Sequence, residues 1–278
     1  MKPGLYIVAT PIGNLEDIST RAQKTLGAVD IIICENLKHS IKLLAKLGIK
    51  KKVYQLHDHN ENKIIKKIEK ISFSHSFALI SDAGSPLVSD PGYKLVQYFI
   101  NNKLFITSIP GPTSVISALQ VSGLPSNSFK YLGFVPKTKN AIEHFVENLN
   151  YEYQTTIFFV SSHKLMVLLD SLDKKLKSRN ISVCKELTKL NEKVFRGTPK
   201  DVIKKIKNDK KNSLGEFVIV LEGLEKNSVS IDIGSSLLNK QIQILLKKFS
   251  LTDVVAIVHK LTNISKKIVY KKVLEQKK

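Results

Sequence analysis

Along the first 125 residues, short β-branched apolar runs alternate with stretches of helical periodicity. Residues 5–9, 31–34, 53–56, 77–80 and 104–109 read as strands; residues 18–26, 41–47, 64–71, 93–100 and 115–119 read as the helices between them. Strands alternating with helices predict an α/β domain built on a largely parallel sheet. Ligands of such a domain bind beyond the carboxyl ends of the strands, where loops and helix N-termini gather. From about Phe129 the rhythm changes, with strands expected at 129–134, 156–160, 181–184, 194–196 and 217–221 and helices near 140–149, 163–172 and 199–207. Several of these strands lie too close in sequence for a crossover helix, which predicts a mixed or antiparallel sheet.

The Ser, Gly, Pro and Asn residues of 122–128 mark the boundary between the two patterns. The expected organisation is an N-terminal α/β domain at 1–122, a second α/β domain with a mixed sheet at 123–226, and a basic helical region at 227–278. A polar stretch at 225–230 leads into three expected helices, the last two at 251–261 and 265–274 around a turn at 262–264. Ser250 and Thr252 offer N-caps to one helix and Ser265 to the other. The outline resembles a helix-turn-helix, with Lys266, Lys267, Lys271 and Lys272 along its second helix. A three-helix cap with a solvated basic face fits the same pattern.

Composition narrows the class. The 278 residues are 42% hydrophobic and 24% charged, enough to bury a sizeable core, which excludes disordered, collagenous and small disulfide-stapled chains. No apolar run approaches the roughly 18 residues of a membrane span, and the apolar stretch after Lys2 is too short for a signal peptide. Cys34 and Cys184 sit within apolar stretches and are expected to be buried, reduced thiols of a cytosolic protein. The net charge is +20, divided as +6 over residues 1–120, +7 over 121–226 and +7 over the last 52 residues. Such an excess fits a polyanionic partner, because a lysine placed on a phosphate releases a condensed counterion. With 41 lysines against 3 arginines, a compositional lysine bias with merely solvated faces is the competing reading.

Three loops follow apolar strands and consist of small residues: Thr10-Pro11-Ile12-Gly13-Asn14-Leu15; Ser81-Asp82-Ala83-Gly84-Ser85-Pro86, running on to Asp90-Pro91-Gly92; and Pro110-Gly111-Pro112-Thr113-Ser114. Glycine and alanine let a ligand approach bare backbone amides, and proline fixes loop shape in advance. Asp82 and Asp90 would accept from ligand hydroxyls or amines, or attract positive charge. Each loop alone is also what a strand–turn–helix connection needs for its turn. Three on one sheet make a crevice if they share a sheet end. No G-x-G-x-x-G follows the first strand and no G-x-x-x-x-G-K-[ST] occurs, which disfavours an ordinary dinucleotide fold and a nucleoside triphosphatase.

Taken together, LYIVATPIGNL at 5–15, HDHNE at 57–61, SDAGSPLVSDPG at 81–92, PGPT at 110–113 and ELTK at 186–189 closely resemble one family. It is the ribosomal RNA small subunit methyltransferase I family of the tetrapyrrole methylase superfamily, matched in order and spacing from about residue 4 to about 224. The resemblance implies two α/β domains with S-adenosylmethionine in the cleft between them, a C-terminal helical region and a homodimer. It implies methylation of a ribose 2′-hydroxyl in the decoding region of 16S rRNA, on cytidine 1402. Carried over by position, Pro11, Ile12, Gly13, Asn14, Ser81, Asp82, Ala83, Gly84, Ser85, Pro86, Asp90, Pro110, Gly111 and Thr113 would line the donor cleft. The chain departs from the family's common pattern at Asn36, within an E-D-T-R string, at Val160, often a glutamate, and at Lys185, often an arginine.

A ribose hydroxyl is a poor nucleophile until it loses its proton, so a base or an alkoxide-stabilising cation should help. The local candidates are His57, Asp58 and His59, with Glu186 from the second domain. On an extended segment His57 and His59 would point to one side, although no third ligand completes a metal set. Their structural alternative is to cap the following helix or bond a loop. Lys38, Lys185, Lys189 and the C-terminal Lys266, Lys267 and Lys271 are candidates for RNA phosphates, against solvated edges. His163 fits the first turn of a helix. Phe129, Tyr131 and Phe134 share a strand, either as packing or as a base-stacking platform. The rival functions are a small-molecule (precorrin-type) methylase and a non-catalytic nucleic-acid-binding module.

Overall fold

The structure, a computed structural model, describes residues 1–224, 236–262 and 264–276. The run Ser76–Ile80 is buried at every position, as befits a central strand covered on both faces. It is β4 of a five-stranded parallel sheet with β1 (Gly4–Val8), β2 (Ile31–Cys34), β3 (Lys52–Gln55) and β5 (Ile106–Ile109), in the order β3-β2-β4-β1-β5. The edge strand β3 is the most exposed, with Lys52 and Gln55 in solvent at its two ends around Val53 and Tyr54.

Helices α1 (Thr20–Ala28) and α2 (Leu37–Lys46) place Leu26 and Leu44 against Val8, Ile32 and Ala78 on one face. Helices α3 (Glu61–Ile68) and α4 (Tyr93–Asn101) place Ile64, Ile68, Leu95 and Phe99 against Leu5, Ile33 and Phe77 on the other. The chain thus leaves β1 toward one face and its neighbour β4 toward the opposite face. That divergence opens a crevice at their carboxyl ends.

The second sheet comprises β6 (Phe129–Phe134), β7 (Thr155–Ser161), β8 (Ile181–Lys185), β9 (Lys193–Gly197) and β10 (Glu216–Leu221), in the order β6-β7-β10-β8-β9. Only β6 and β7 are parallel; the other pairs are antiparallel, the mixed sheet that the short connections predict. One face packs on α6 (Lys139–Leu149), α7 (Ser162–Lys175) and α8 (Pro199–Lys207). The other receives α5 (Ser114–Ser122), whose Val115, Ala118 and Leu119 meet Ile157, Cys184 and Val220. Because α5 starts at the loop after β5, it ties the rim of the first sheet to the face of the second. Ile12, from the loop after β1, and Leu187 join the same apolar cluster.

Both sheets lie in one compact unit, Met1–Gly223; Leu224–Lys278 forms another. The second unit holds α9 (Ser236–Leu246), α10 (Leu251–Thr262) and α11 (Lys266–Gln276) around Ile242, Val254, Val258, Val269 and Val273. The Ser250 hydroxyl accepts from the Asp253 amide at the start of α10, and the Ile264 carbonyl bonds His259 Nδ1 at 2.6 Å beyond its end. The polar stretch 225–230 and Asn263 of the expected turn lie outside the described residues. Cys34 and Cys184 are buried and unpaired, and burial pushes the Cys184 thiol up to about 11. Among the described residues no helix is long and apolar enough to cross a membrane.

Candidate active site

The three small-residue loops leave β1, β4 and β5, which run parallel side by side, so they share one rim of the sheet. They are also knitted together. Thr10 N–H donates to the Gly84 carbonyl at 2.9 Å and Gly84 N–H returns a bond to Thr10 at 3.0 Å. The Ser85 hydroxyl donates to the Pro112 carbonyl, bringing in the third loop. Gly84 has φ +80°, and a Cβ there would lie 3.2 Å from Ile12 Cγ2. The expectation of bare amides needs one correction: the Gly84 N–H is spent on Thr10, so this turn holds its neighbour in place and does not offer that donor to a ligand.

Facing these loops across a cavity of about 490 Å³ are the ends of β6 and β7, the start of α7 and the start of β10. Of the residues carried over as donor contacts, Ile12, Asp82, Ala83, Gly84, Ser85, Asp90 and Thr113 line this cavity. Pro11, Gly13, Asn14, Ser81, Pro86, Pro110 and Gly111 do not line it, and four of them hold the loops from behind. The Ser81 hydroxyl bonds the carbonyls of its own loop, and a Cβ on Gly111 would lie 3.0 Å from the Ala9 Cβ. Asn14 N–H donates to Thr188 Oγ1 at 3.1 Å, and a Cβ on Gly13 would lie 2.5 Å from Lys189 Cγ. The first loop is therefore docked on the ELTK turn of the second sheet, a contact that no sequence signal announces.

The electrostatics of the first wall are acidic. Asp90 is pushed up to about 6, chiefly by burial and then by Glu35, with Asp82 adding to it and a Ser81 hydrogen bond opposing. Burial also raises Glu35, helped by Asp82 and Asp58. Asp82 Oδ1 is buried without a hydrogen-bond partner among the described residues, an orphaned acceptor at the cavity wall. A buried acceptor without a partner costs free energy until a ligand donor reaches it. The loop between Asp82 and Gly92 carries two left-handed non-glycine residues, Leu87 (φ 74°) and Ser89 (φ 72°). It is pinned to the second sheet by a 2.6 Å bond between Ser89 Oγ and the Tyr131 hydroxyl.

Other sequence candidates fall elsewhere. His57, Asp58 and His59 are exposed and outside the cavity lining. Their segment is a turn and not an extended one: Asn60 Oδ1 accepts from the His57 amide and Asn60 N–H donates to the His57 carbonyl, with the imidazole centroids 6.2 Å apart. Neither histidine caps α3; Asn60 stands at that position. Glu61, the last residue of the same string, reaches across to α4, a role that no sequence signal marks. Glu186 (φ 50°) accepts from the Glu216 amide and pairs with Lys189, whose ammonium also meets Glu216 at 2.8 Å. Burial opposes ionisation of Glu186, but the Glu216 amide and Lys189 outweigh it and lower its carboxyl.

Among the lysines, Lys38 is exposed in the first turn of α2, while Lys185 is only 5% exposed. Lys185 therefore cannot serve as a surface phosphate contact or as a solvated edge, because it closes a buried strand. Lys266, Lys267 and Lys271 are exposed on α11. The departures have local explanations in part. Asn36 is the N-cap of α2, its Oδ1 accepting from Lys38 and His39, whereas Val160 is buried in the second sheet and forms part of the cavity wall. His163 does sit in the first turn of α7, and it lines the cavity. Most of the second wall, including Ser161, Gly215 and Glu216, lies outside the sequence candidates; it carries no motif of its own.

The chain matches the family of tetrapyrrole (corrin/porphyrin) methylases over residues 4–203. It is 42% identical over 224 residues to ribosomal RNA small subunit methyltransferase I of Xylella fastidiosa strain Temecula1, covering 80% of this chain and 82% of that protein. It is 37% identical to the protein of the same name from Haemophilus influenzae over 96% of this chain and 94% of the relative. The corresponding figures for Escherichia coli O157:H7 are 36%, 98% and 95%. Among solved structures, the fold is similar to uroporphyrin-III-C-methyltransferase from Thermus thermophilus, with a TM-score of 0.56, 17% identity, and coverage of 79% of this chain and 94% of that one. It is likewise similar to a cobalt precorrin-4 methyltransferase, with a TM-score of 0.57, 15% identity, and coverage of 80% and 95%.

Proposed function

The chain belongs to the tetrapyrrole methylase family and, within it, to the ribosomal RNA small subunit methyltransferase I group; from that premise we propose that it methylates 16S rRNA on the ribose 2′-hydroxyl of a cytidine in the decoding region, cytidine 1402. It is an S-adenosylmethionine-dependent methyltransferase. We take it to work in the cytoplasm, on the small subunit or its RNA, as a homodimer.

The observation that carries the reading is the contrast between cavity and surface. The cavity concentrates Asp82, Asp90 and the nearby Glu35 behind glycine-shaped loops, in a chain whose net charge is +20. An acidic interior suits a cationic donor, and a basic exterior suits a polyanionic acceptor. The donor supplies an already activated methyl group on a sulfonium. The protein's part is then chiefly alignment, since an in-line displacement gains most from holding its reactants in register. Ile12, Ala83 and Thr113 would flank the donor, and Asp82 would give its orphaned oxygen to a donor N–H or O–H. The loops stay in register because Thr10 and Gly84 bond each other, and because Asn14 bonds Thr188 across to the second sheet. The carboxylate and imidazole groups on the cavity walls are Asp82, Asp90, His163 and Glu216, and we take these, in place of the outlying His57–His59 turn, as the candidates to receive the hydroxyl proton; the Cys184 thiol, also on the wall, is held protonated by burial.

The test is transfer of a radiolabelled methyl group to small subunits from a strain lacking the modification, with the product nucleotide mapped by mass spectrometry. A label on the 2′-oxygen of one cytidine is the expected result. Label on a porphyrinoid with none on RNA, or a label on a base, would overturn the reading.

A further inference from the structure

Strand β6 ends in an irregularity that re-aims one aromatic ring. Its pairing with β7 shifts register between Tyr131 and Phe134, and Gly133 within the shift has φ +71°. In an unbroken strand, residues 131 and 134 would point to opposite faces. The bulge instead brings both rings onto Phe159, Tyr131 at 5.2 Å and Phe134 at 5.1 Å between centroids, each edge-on. Bulges of this kind gather at functional rims because they redirect a side chain.

The three rings do not have equal access. Tyr131 is held by its hydroxyl on Ser89, Phe159 lies half-buried between its neighbours, and Phe217, the other phenylalanine of the cavity lining, is buried. Phe134 lines the same cavity as Asp82 and Thr113, yet it is 62% exposed. A rigidly backed aromatic face thus stands open opposite the donor loops. Burying it within the fold would have been the ordinary use of such a ring.

We propose that the Phe134 ring is the platform on which the base of the acceptor nucleotide stacks while its ribose faces the donor. The inference rests on the RNA reading above and goes further by assigning a substrate contact. A 2′-hydroxyl is one sugar carbon away from the glycosidic bond. When that oxygen enters the cavity its base follows closely and needs a surface to lie on, and the wall facing the donor loops offers the open Phe134 ring. Chemistry at one ribose is reached most directly on a nucleotide turned out of its stack, and an aromatic side chain then replaces the lost stacking partner without demanding a sequence.

Methyl transfer to small subunits lacking the modification tests this with the full-length protein and its Phe134→Ala, Phe134→Leu and Phe134→Tyr variants, alongside donor affinity by calorimetry. Stacking of this kind sets an expected fall in kcat/KM for the subunit of about five- to a hundredfold in F134A. F134L should fall similarly, F134Y should stay within about threefold of wild type, and donor affinity should be unchanged in all three. Wild-type kcat/KM in F134A or F134L would overturn the proposal, as would a matching loss of donor affinity, which would place the ring in the donor site. If the wild-type protein methylates no RNA, the proposed function fails and this contact with it; if it does and F134A is unimpaired, only the contact fails.

Discussion

The carboxylate of Glu61 accepts the amide hydrogen of Gly92 at 2.6 Å and that of Lys94 at 2.9 Å, from 31 and 33 residues away. Gly92 is the N-cap of α4 and has no side chain to satisfy the first-turn amides, so Glu61 does this from the start of α3. At 4% exposure it is also positioned where anionic charge complements the helix N-terminus. Glu61→Ala should therefore lower stability by about 2 kcal/mol, from a lost cap that leaves the buried Gly92 amide unsatisfied and the part-buried Lys94 amide to water. Urea unfolding followed by circular dichroism checks the magnitude. Because Gly92 closes the loop that carries Asp90, donor affinity should fall as well. An unchanged unfolding midpoint would show that water replaces the cap at no cost.

Gly84 answers to two constraints at once. Its φ of +80° disfavours any side chain, and a Cβ would crowd Ile12 Cγ2 at 3.2 Å on the cavity wall. Gly84→Ala should cost about 1–2 kcal/mol of backbone strain. It should also displace Ile12 and weaken donor binding by at least about tenfold, since a change of about 1.4 kcal/mol at the wall already has that effect. Equilibrium dialysis with labelled donor measures the second effect and thermal unfolding the first. Donor affinity equal to wild type would remove this turn from the donor site.

Asp90 predicts a pH dependence of unusual sign for a carboxylate. Its carboxyl is pushed from an ordinary 3.8 up to about 6, so between these values the folded chain holds a proton that the unfolded chain has released. Its contribution to stability therefore declines as pH rises from about 4 to about 6, the reverse of a carboxylate lowered by hydrogen bonds. Asp30 is of that second kind, lowered chiefly by the Ser76 amide and hydroxyl, and its contribution is lost only at acid pH. Asp90→Asn should raise the unfolding midpoint above pH 6 while leaving it unchanged near pH 4. A cationic donor should prefer the ionised form, so wild-type donor affinity should tighten as pH passes 6 and the variant's should not. Parallel pH profiles for the two proteins would rule out Asp90 as the titrating group.

How much of this is legible in the sequence follows from the kind of signal each part leaves. The strands and most helices of the first sheet follow from apolar periodicity, because burial on both faces writes itself into every position of a run such as Ser76–Ile80. Helix α2 begins at Leu37, well before the periodic stretch at 41–47, because Asn36 caps it and its first turn, Leu37-Lys38-His39, is largely solvent-facing. The donor-side loops are visible through glycine and proline. The wall across from them is not: Val160, Ser161 and Gly215 acquire their place only when β7 and β10 pair. The His57–His59 turn is hidden for a related reason. The pattern suggests extension past the end of β3, where the Asn60 side chain in fact bends the backbone. Gly133 is the available sign of the bulge at Phe134, since glycine inside a strand pattern commonly marks one.

The lysines of α11 separate binding of the acceptor from binding of the donor. Lys266, Lys267 and Lys271 are exposed, while Val269 and Val273 on the same helix are buried in the core of the C-terminal unit. Charge can therefore be changed without disturbing packing, and Leu224–Lys278 is a compact unit of its own. If these lysines rest on RNA phosphates, replacing all three by glutamine should weaken RNA binding in low salt and flatten its salt dependence. The slope of log K against log salt should fall by about 0.7–0.9 for each phosphate that is no longer neutralised, or roughly two to three in all. Donor affinity and the thermal midpoint should stay as they are, because no charge pair of the cavity is touched. Filter binding across a salt series reads the slope directly. An unchanged slope would mean that these lysines are simply a solvated face, leaving the lysine-rich surface of Met1–Gly223 to meet the RNA.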